Sequence, residues 1–295
     1  MNRTEQEILS QPEVWARAFD LTDQARELLV ATGEHVLAIG CGTSAYMAAS
    51  YARLRAAAGA GPTDAAYASE LPPARRFDRL VAITRSGTTT EILQALRGPR
   101  IAERTVGVTA VTGVGLDGLV DQRLVLDFAD ESSVVQTRFP TTLLALIRAA
   151  LGEDTDAMLA ACREAVAQPL PVDPSQFHHF VFLGTDWTVG LADEAALKIR
   201  EAAQAWSESY PAMEYRHGPI AVADSRSLVW MFGEPPAGLV DDVRARGATV
   251  VTSQLDPLAH LVVAQRLAVA LAQARGLDPD NPRALTRSVI LDPSA

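Results

Sequence analysis

Cysteine is scarce: Cys41 and Cys162 are the only two in 295 residues. Two isolated thiols make no disulfide framework and match no zinc-ligand spacing, so no metal ion is expected. Basic residues are also in deficit, 26 Lys and Arg against 36 Asp and Glu, for a formal net charge of −10. Nucleic-acid surfaces are basic, so no nucleic-acid partner is expected. No unbroken run of eighteen apolar residues occurs, and the opening MNRTEQEILSQPEVW lacks the basic-then-apolar layout of a secretory signal. A soluble, cytoplasmic protein without membrane contact is the expectation. Two nucleotide signatures are missing as well. Gly40-Cys41-Gly42 has no third glycine of a dinucleotide fingerprint, and the hydroxyl-rich stretch after Thr84 lacks the lysine of a P-loop. Neither a dinucleotide nor a P-loop nucleotide is therefore read here. What is present is a hydrophobic content of 48%, enough to bury a core.

The chain alternates strand-like and helix-like segments. Residues from about Glu5 to Thr32 read as helical, with Trp15, Phe19, Leu28 and Leu29 at helical spacing, a packing arm. His35–Gly40 is a short apolar run suited to a buried parallel strand, and a small-residue helix follows from Ala45 to Ala58. Further strand candidates lie at Ala65–Ala68, Leu80–Thr84, Val106–Ala110 and Leu124–Phe128, with helices at Thr89–Leu96 and Thr137–Ala150. A second cycle opens after the proline-containing stretch Gln168–Pro174. His179–Gly184, a polar turn and an Ala-rich helix repeat the pattern of His35–Gly40, which points to a duplicated unit. Leu228–Phe232 and Thr249–Ser253 read as strands, Val240–Arg246 and Leu258–Arg275 as helices. Alternation at this pace predicts an α/β fold with parallel sheets. The expected division is a helical arm over 1–34, one domain over 35–168 and a second over 169–295.

Four stretches carry chemistry. Gly40-Cys41-Gly42-Thr43-Ser44 sits where a strand gives way to a helix, and its hydroxyls can cap that helix or face an oxygen-rich ligand. Thr84-Arg85-Ser86-Gly87-Thr88-Thr89-Thr90 concentrates hydroxyls, a glycine and an arginine between a strand and a helix, a composition suited to phosphate. Val134-Val135-Gln136-Thr137-Arg138 leads into another helix that can share the same crevice. The fourth stretch is Asp193–Pro219. Glu194, Lys198 and Glu201 fall on one helical face, and Glu194 with Lys198 reads as an intrahelical ion pair. The segment after this helix reads as a loop ending in Tyr215-Arg216-His217-Gly218-Pro219. Glu201 and His217 bracket that loop; by residue type alone they are ordinary surface positions, and together they can move protons.

Taken in order, these motifs resemble the tandem SIS (sugar isomerase) family, which includes the isomerase half of glucosamine-6-phosphate synthase. The likeness runs through Cys41–Ser44, Arg85–Thr88, Val134–Arg138, Glu194–Glu201, Arg216–Pro219 and the tail Asn281–Ser288. It implies two flavodoxin-like SIS domains, each a parallel sheet flanked by helices, the second carrying a catalytic tail, in a homodimer with shared active sites. By the same resemblance Cys41, Gly42, Thr43, Ser44, Thr84, Arg85, Ser86 and Thr89 line a sugar-phosphate site, with Val134 and Gln136 nearby. Glu201 is then the base carrying a proton between C1 and C2, His217, from the neighbouring subunit, assists ring opening, and no metal or organic cofactor is required.

Three departures from the family pattern bear on the reaction. No glutaminase domain is expected. Arg287 stands where the family tail carries an imine-forming lysine, and a guanidinium is a poor imine former. Thr84, Arg85 and Gln136 replace a serine, a glutamine and a serine. The expected activity is isomerisation of a hexose 6-phosphate, an amino sugar by preference, with ammonia release. Fructosyl-amine phosphate cleavage and simple aldose–ketose isomerisation stand beside it. A non-catalytic sugar-phosphate sensor is the alternative of another class.

Overall fold

The computed structural model describes residues 1–113 and 115–291. In chain order the helices are α1 (Arg3–Leu9), α2 (Gln11–Phe19), α3 (Thr22–Ala25), α4 (Thr43–Ala57), α5 (Thr90–Arg97), α6 (Arg138–Ala150), α7 (Thr155–Ala167), α8 (Val189–Ala203), α9 (Leu239–Arg244) and α10 (Pro257–Ala274). The strands are β1 (Val36–Gly40), β2 (Thr63–Tyr67), β3 (Phe77–Ile83), β4 (Ala102–Thr109), β5 (Gln122–Val125), β6 (His179–Gly184), β7 (Trp206–Pro211), β8 (Ser227–Met231) and β9 (Thr249–Val251). They form two compact units, and each draws on both ends of the chain. One holds Gln11–Thr155 and the tail from Thr286; the other holds Met1–Ser10 and Asp156–Leu285.

The unit containing the tail is built on a five-stranded parallel sheet of order β2-β1-β3-β4-β5. This is the flavodoxin-like order, in which chain direction across the sheet reverses between β1 and β3. All five residues of β1 are buried, as expected of a strand covered on both faces. Leu37, Ile39, Leu80 and Ala82 pack with Ile92 of α5 and with Leu116. Trp15 of the helical arm is fully buried and donates its indole N–H to Thr141 of α6 at 3.3 Å. The arm is thus part of the core, as the spacing of its apolar residues implied.

The other unit is built on a four-stranded parallel sheet of order β7-β6-β8-β9, with the equivalent reversal between β6 and β8. Val181, Leu183, Val229 and Met231 pack with Leu239 and Val243 of α9. By length and composition α10 is apolar enough to cross a membrane, but 72% of it is buried within the protein, which makes it a core helix. The α/β class with parallel sheets follows the sequence expectation. Two elements differ from it. Residues 206–211, read as part of a loop, form β7, paired with β6 from His179↔Trp206 to Gly184↔Pro211. WSESYP lacks an apolar run because β7 is an edge strand, where pairing with β6 rather than burial holds it. Helix α7 spans Thr155–Ala167, where the sequence pattern places no element.

Candidate functional site

In the tail-containing unit, β1 and β3 deliver their loops to the reversal point at the carboxyl end of the sheet, where open α/β sheets bind ligands. Gly40 ends β1. A Cβ there would lie 2.4 Å from the backbone carbon of Ser44, so only glycine lets α4 begin against the strand end. Gly42 follows with φ of 52°, and Thr43 and Ser44 open α4, both buried. Beyond β3, Thr84 Oγ1 accepts from the Gly87 amide at 3.2 Å, and Ser86 Oγ accepts from the Thr88 amide at 3.3 Å. The tail adds a hydroxyl to this loop. Ser288 Oγ lies 3.1 Å from Ser86 Oγ, 3.0 Å from Thr88 Oγ1 and 3.4 Å from Thr89 Oγ1. The Thr90 amide, in the first turn of α5, donates to the Val289 carbonyl at 3.1 Å.

Cys41, Ser44, Thr84, Arg85, Ser86, Thr89, Gln136 and Arg287 line a single small cavity of about 30 Å³, with Ile83 and Ile92. Eight of the residues expected at the site therefore meet in one unit. Gly42, Thr43 and Val134 lie on the same loops without lining it. Burial and the nearby charge of Glu91 push the Cys41 thiol up to about 11, so it is a neutral wall group rather than a nucleophile. A larger cleft of about 220 Å³, lined by Leu80, Leu96, Arg100 and Asp121, has its arginine paired with Asp121 at 2.7 Å.

The two arginines hold the site together. Arg85 is fully buried and donates to the carbonyls of Ser133 and Arg287, both at 3.0 Å, with Glu131 Oε2 3.8 Å from its Nη1. Its charge thus faces a carboxylate, and its N–H groups bind the 133–134 loop and the tail backbone. Glu131 in turn caps α6: Oε1 accepts from the Thr137 amide at 2.5 Å, the Thr137 hydroxyl at 2.7 Å and the Arg138 amide at 2.9 Å. A protein carboxylate therefore occupies the positive end of α6. Arg287 pairs with Asp130 at 2.5 Å and donates to the Glu131 carbonyl.

In the other unit, Gly184 repeats the tight strand-to-helix join; a Cβ would meet the Thr188 carbonyl oxygen at 2.2 Å. On α8, Lys198 Nζ lies 3.3 Å from Glu194 Oε1 and 2.5 Å from Glu201 Oε2. Glu194 and Lys198 are buried, while Glu201 keeps a 20% exposed side chain. The intrahelical pair read from the sequence is present, and its lysine also grips Glu201. Lys198 is the only lysine in the chain. His217 ends a short 3₁₀ turn, exposed and with no side-chain partner among the described residues. Its neighbours fix the turn: Tyr215 is fully buried, and Arg216 donates to Asp242 at 2.8 Å and to the Ala237 carbonyl at 2.9 Å. Burial, with the Glu208 charge and Tyr210, pushes the Tyr215 phenol up to about 12. Glu201 is thus a partly exposed carboxylate held by an ammonium, and His217 is an exposed imidazole at the end of its turn.

Sequence reasoning missed Glu131, Asp130 and Ser288. An acid shortly before the start of α6 is a legible capping signal for Glu131. Nothing local marks Ser288, whose partners are about 200 positions away in sequence.

No protein-family model matches the chain. Among curated proteins it is similar to the glutamine–fructose-6-phosphate aminotransferase (isomerizing) of Pyrobaculum aerophilum, 30% identical over 266 aligned positions, covering 73% of this chain and 44% of that protein. The Aeropyrum pernix protein of the same name is 28% identical over 349 aligned positions, covering 97% of this chain and 57% of that one. The chain spans about half the length of the curated relatives it matches. Among solved structures, glucosamine-6-phosphate deaminase from Thermotoga maritima aligns with a TM-score of 0.84 and 26% identity over 98% of this chain and 100% of that one. The C-terminal domain of glucosamine-fructose-6-phosphate aminotransferase from Francisella tularensis aligns with a TM-score of 0.82 and 22% identity, covering 96% and 98%. The parallel-sheet α/β architecture of this chain is the one these sugar-phosphate proteins share.

Proposed function

We propose that the chain is a phosphosugar isomerase of the tandem SIS type, acting on a hexose 6-phosphate and by preference on an amino sugar. The observation that carries the reading is the cavity at the β1/β3 reversal, where Ser44, Thr84, Ser86 and Thr89 bring hydroxyls to one point beside the starts of α4 and α5. Hydroxyls and helix starts together suit a phosphate. The similarity to a glucosamine-6-phosphate deaminase along the whole of both chains supports the amino-sugar preference. A hexose phosphate exceeds the cavity of about 30 Å³, so binding shifts Arg287 and the tail.

In this reading His217, contributed by the neighbouring subunit of a homodimer, assists opening of the sugar ring. Glu201 removes the C2 proton of the open-chain aldose, and the electron pair forms an enolamine. The proton returns to C1, leaving a C2 imine that water hydrolyses to the ketose and ammonia. With a neutral sugar the same transfer passes through an enediol and releases no ammonia. Arg287 orients the open chain or polarises its oxygen. No imine with the protein forms in this sequence of steps.

The test is solvent exchange. Hexose 6-phosphates and their 2-amino counterparts incubated in deuterated water should gain label at the transferred position with the wild-type protein, and not with Glu201→Gln. Ammonia release separates deamination from plain isomerisation. Binding without exchange for every sugar phosphate that binds would overturn the enzyme reading in favour of a sensor.

A further inference from the structure

We infer that Gln136 is a specificity-determining residue of the cavity, accepting a hydrogen bond from a sugar hydroxyl; this rests on the sugar-phosphate reading and deepens it. Gln136 stands two residues before α6, on the loop that Arg85 holds through the Ser133 and Val134 carbonyls. Its side chain lines the cavity, and its Oε1 is buried with no hydrogen-bond partner among the described residues. A buried carboxamide oxygen left unpaired is costly, and the penalty disappears when a ligand brings a donor.

The surrounding groups narrow the donor. Ser44, Thr84, Ser86, Thr89 and Arg287 all offer O–H or N–H groups to the same space, which suits the anionic end of a ligand. Gln136 Oε1 is instead an acceptor, and it calls for O–H or N–H on the ligand. Arg287 lines the cavity while its partner Asp130 does not. An ammonium beside Gln136 would meet this guanidinium, whereas a neutral hydroxyl would not. A hydroxyl of the carbon chain is the ligand group selected. Sites built to pair a substrate hydroxyl reject analogues that lack it, because the protein group is then left buried and unpaired.

The experiment measures binding of a hexose 6-phosphate, its single-deoxy analogues and its 2-amino counterpart to wild type, Gln136→Leu and Gln136→Asn. Wild type should bind one deoxy analogue roughly 10- to 100-fold more weakly than the parent, the range expected for one unpaired buried group. Gln136→Leu should bind that analogue and the parent about equally. Gln136→Asn, which keeps a neutral carboxamide acceptor, should retain part of the discrimination and shows that the loop still folds. Unchanged discrimination in Gln136→Leu overturns the inference and leaves the phosphate reading standing. A selective loss of the 2-amino sugar in Gln136→Leu overturns the hydroxyl assignment in favour of an ammonium. If wild type binds no hexose phosphate, the functional reading falls, and this inference with it.

Discussion

Replacing Lys198 by methionine removes one ammonium and leaves an apolar stem of similar length in place. Its Nζ lies 3.3 Å from Glu194, whose side chain is fully buried, and 2.5 Å from Glu201. At an effective dielectric of about 20, the attraction to Glu194 alone is roughly 5 kcal/mol. Breaking a buried pair from one side costs roughly 3–5 kcal/mol, because the remaining carboxylate stays buried with its counter-charge gone. The loss should appear in urea unfolding at fixed protein concentration. Three of the four tryptophans, Trp187, Trp206 and Trp230, report on this unit. Adding Glu194→Gln should recover much of the stability, since it removes the stranded charge. Deuterium exchange into substrate should stay depressed in the double variant, because Glu201 has lost its 2.5 Å anchor. A Lys198→Met loss below about 1 kcal/mol, or no recovery from Glu194→Gln, would refute the electrostatic account. Full exchange activity in the double variant would refute the positioning of Glu201.

Burial holds the His260 imidazole at about 3, against an ordinary value near 6.5, where it stacks on Trp230 at 4.5 Å. Below pH 6.5 the unfolded chain takes up a proton that the folded state refuses, so this stability is present above 6.5 and lost as pH falls. Between pH 7.5 and 5 the unfolding free-energy gap between wild type and His260→Phe should shift by about 2 kcal/mol, and a pH-independent gap would refute the assignment. Glu131→Gln should lower both the melting temperature and hexose phosphate affinity, since this carboxylate caps α6 and faces Arg85; calorimetry at neutral pH checks both. Borohydride added during turnover should trap no sugar on the protein, because Arg287 cannot form an imine and Lys198 is buried in its ion pairs. A covalent adduct seen by mass spectrometry would overturn the imine-free route.

Apolar runs such as Val36–Gly40 and Ser227–Met231 were legible because parallel strands buried on both faces carry little else. Strand β7 was not, because WSESYP shows neither an apolar run nor a clean alternation, and its pairing with β6 depends on contacts outside the segment. At the cavity, hydroxyl composition drew attention to the Thr84–Thr89 loop, whose Thr84, Arg85, Ser86 and Thr89 line it. Composition could not reveal that Arg85 spends its charge on Glu131, or that Ser288 joins the hydroxyls. Those facts depend on residues brought together by the fold. The role of Lys198 was half legible: spacing paired it with Glu194, while only side-chain geometry adds Glu201.

The two strand-to-helix turns separate what a repeated scaffold requires from what a ligand requires. Gly40 and Gly184 are both demanded by the close approach of a helix to a strand end, and each stands beside the reversal point of its own sheet. Scaffold alone therefore accounts for both glycines. The polar residues around them differ. After β6, Thr188 satisfies its hydroxyl internally, accepting from the Thr185 amide and donating to the Thr185 carbonyl, both at 2.8 Å. Asp186 in this turn and Glu234 after β8 are acids, which repel a phosphate. After β1 and β3 the corresponding loops bring hydroxyls around a cavity instead, and the tail adds Arg287. On the proposed reading, the unit with the tail is equipped for an anion and the other is not. Ser86→Ala with Thr89→Ala should therefore abolish measurable hexose phosphate binding in calorimetry, while Thr185→Ala should leave it unchanged. Retained binding in the first variant would sink the assignment of the anion site to this turn.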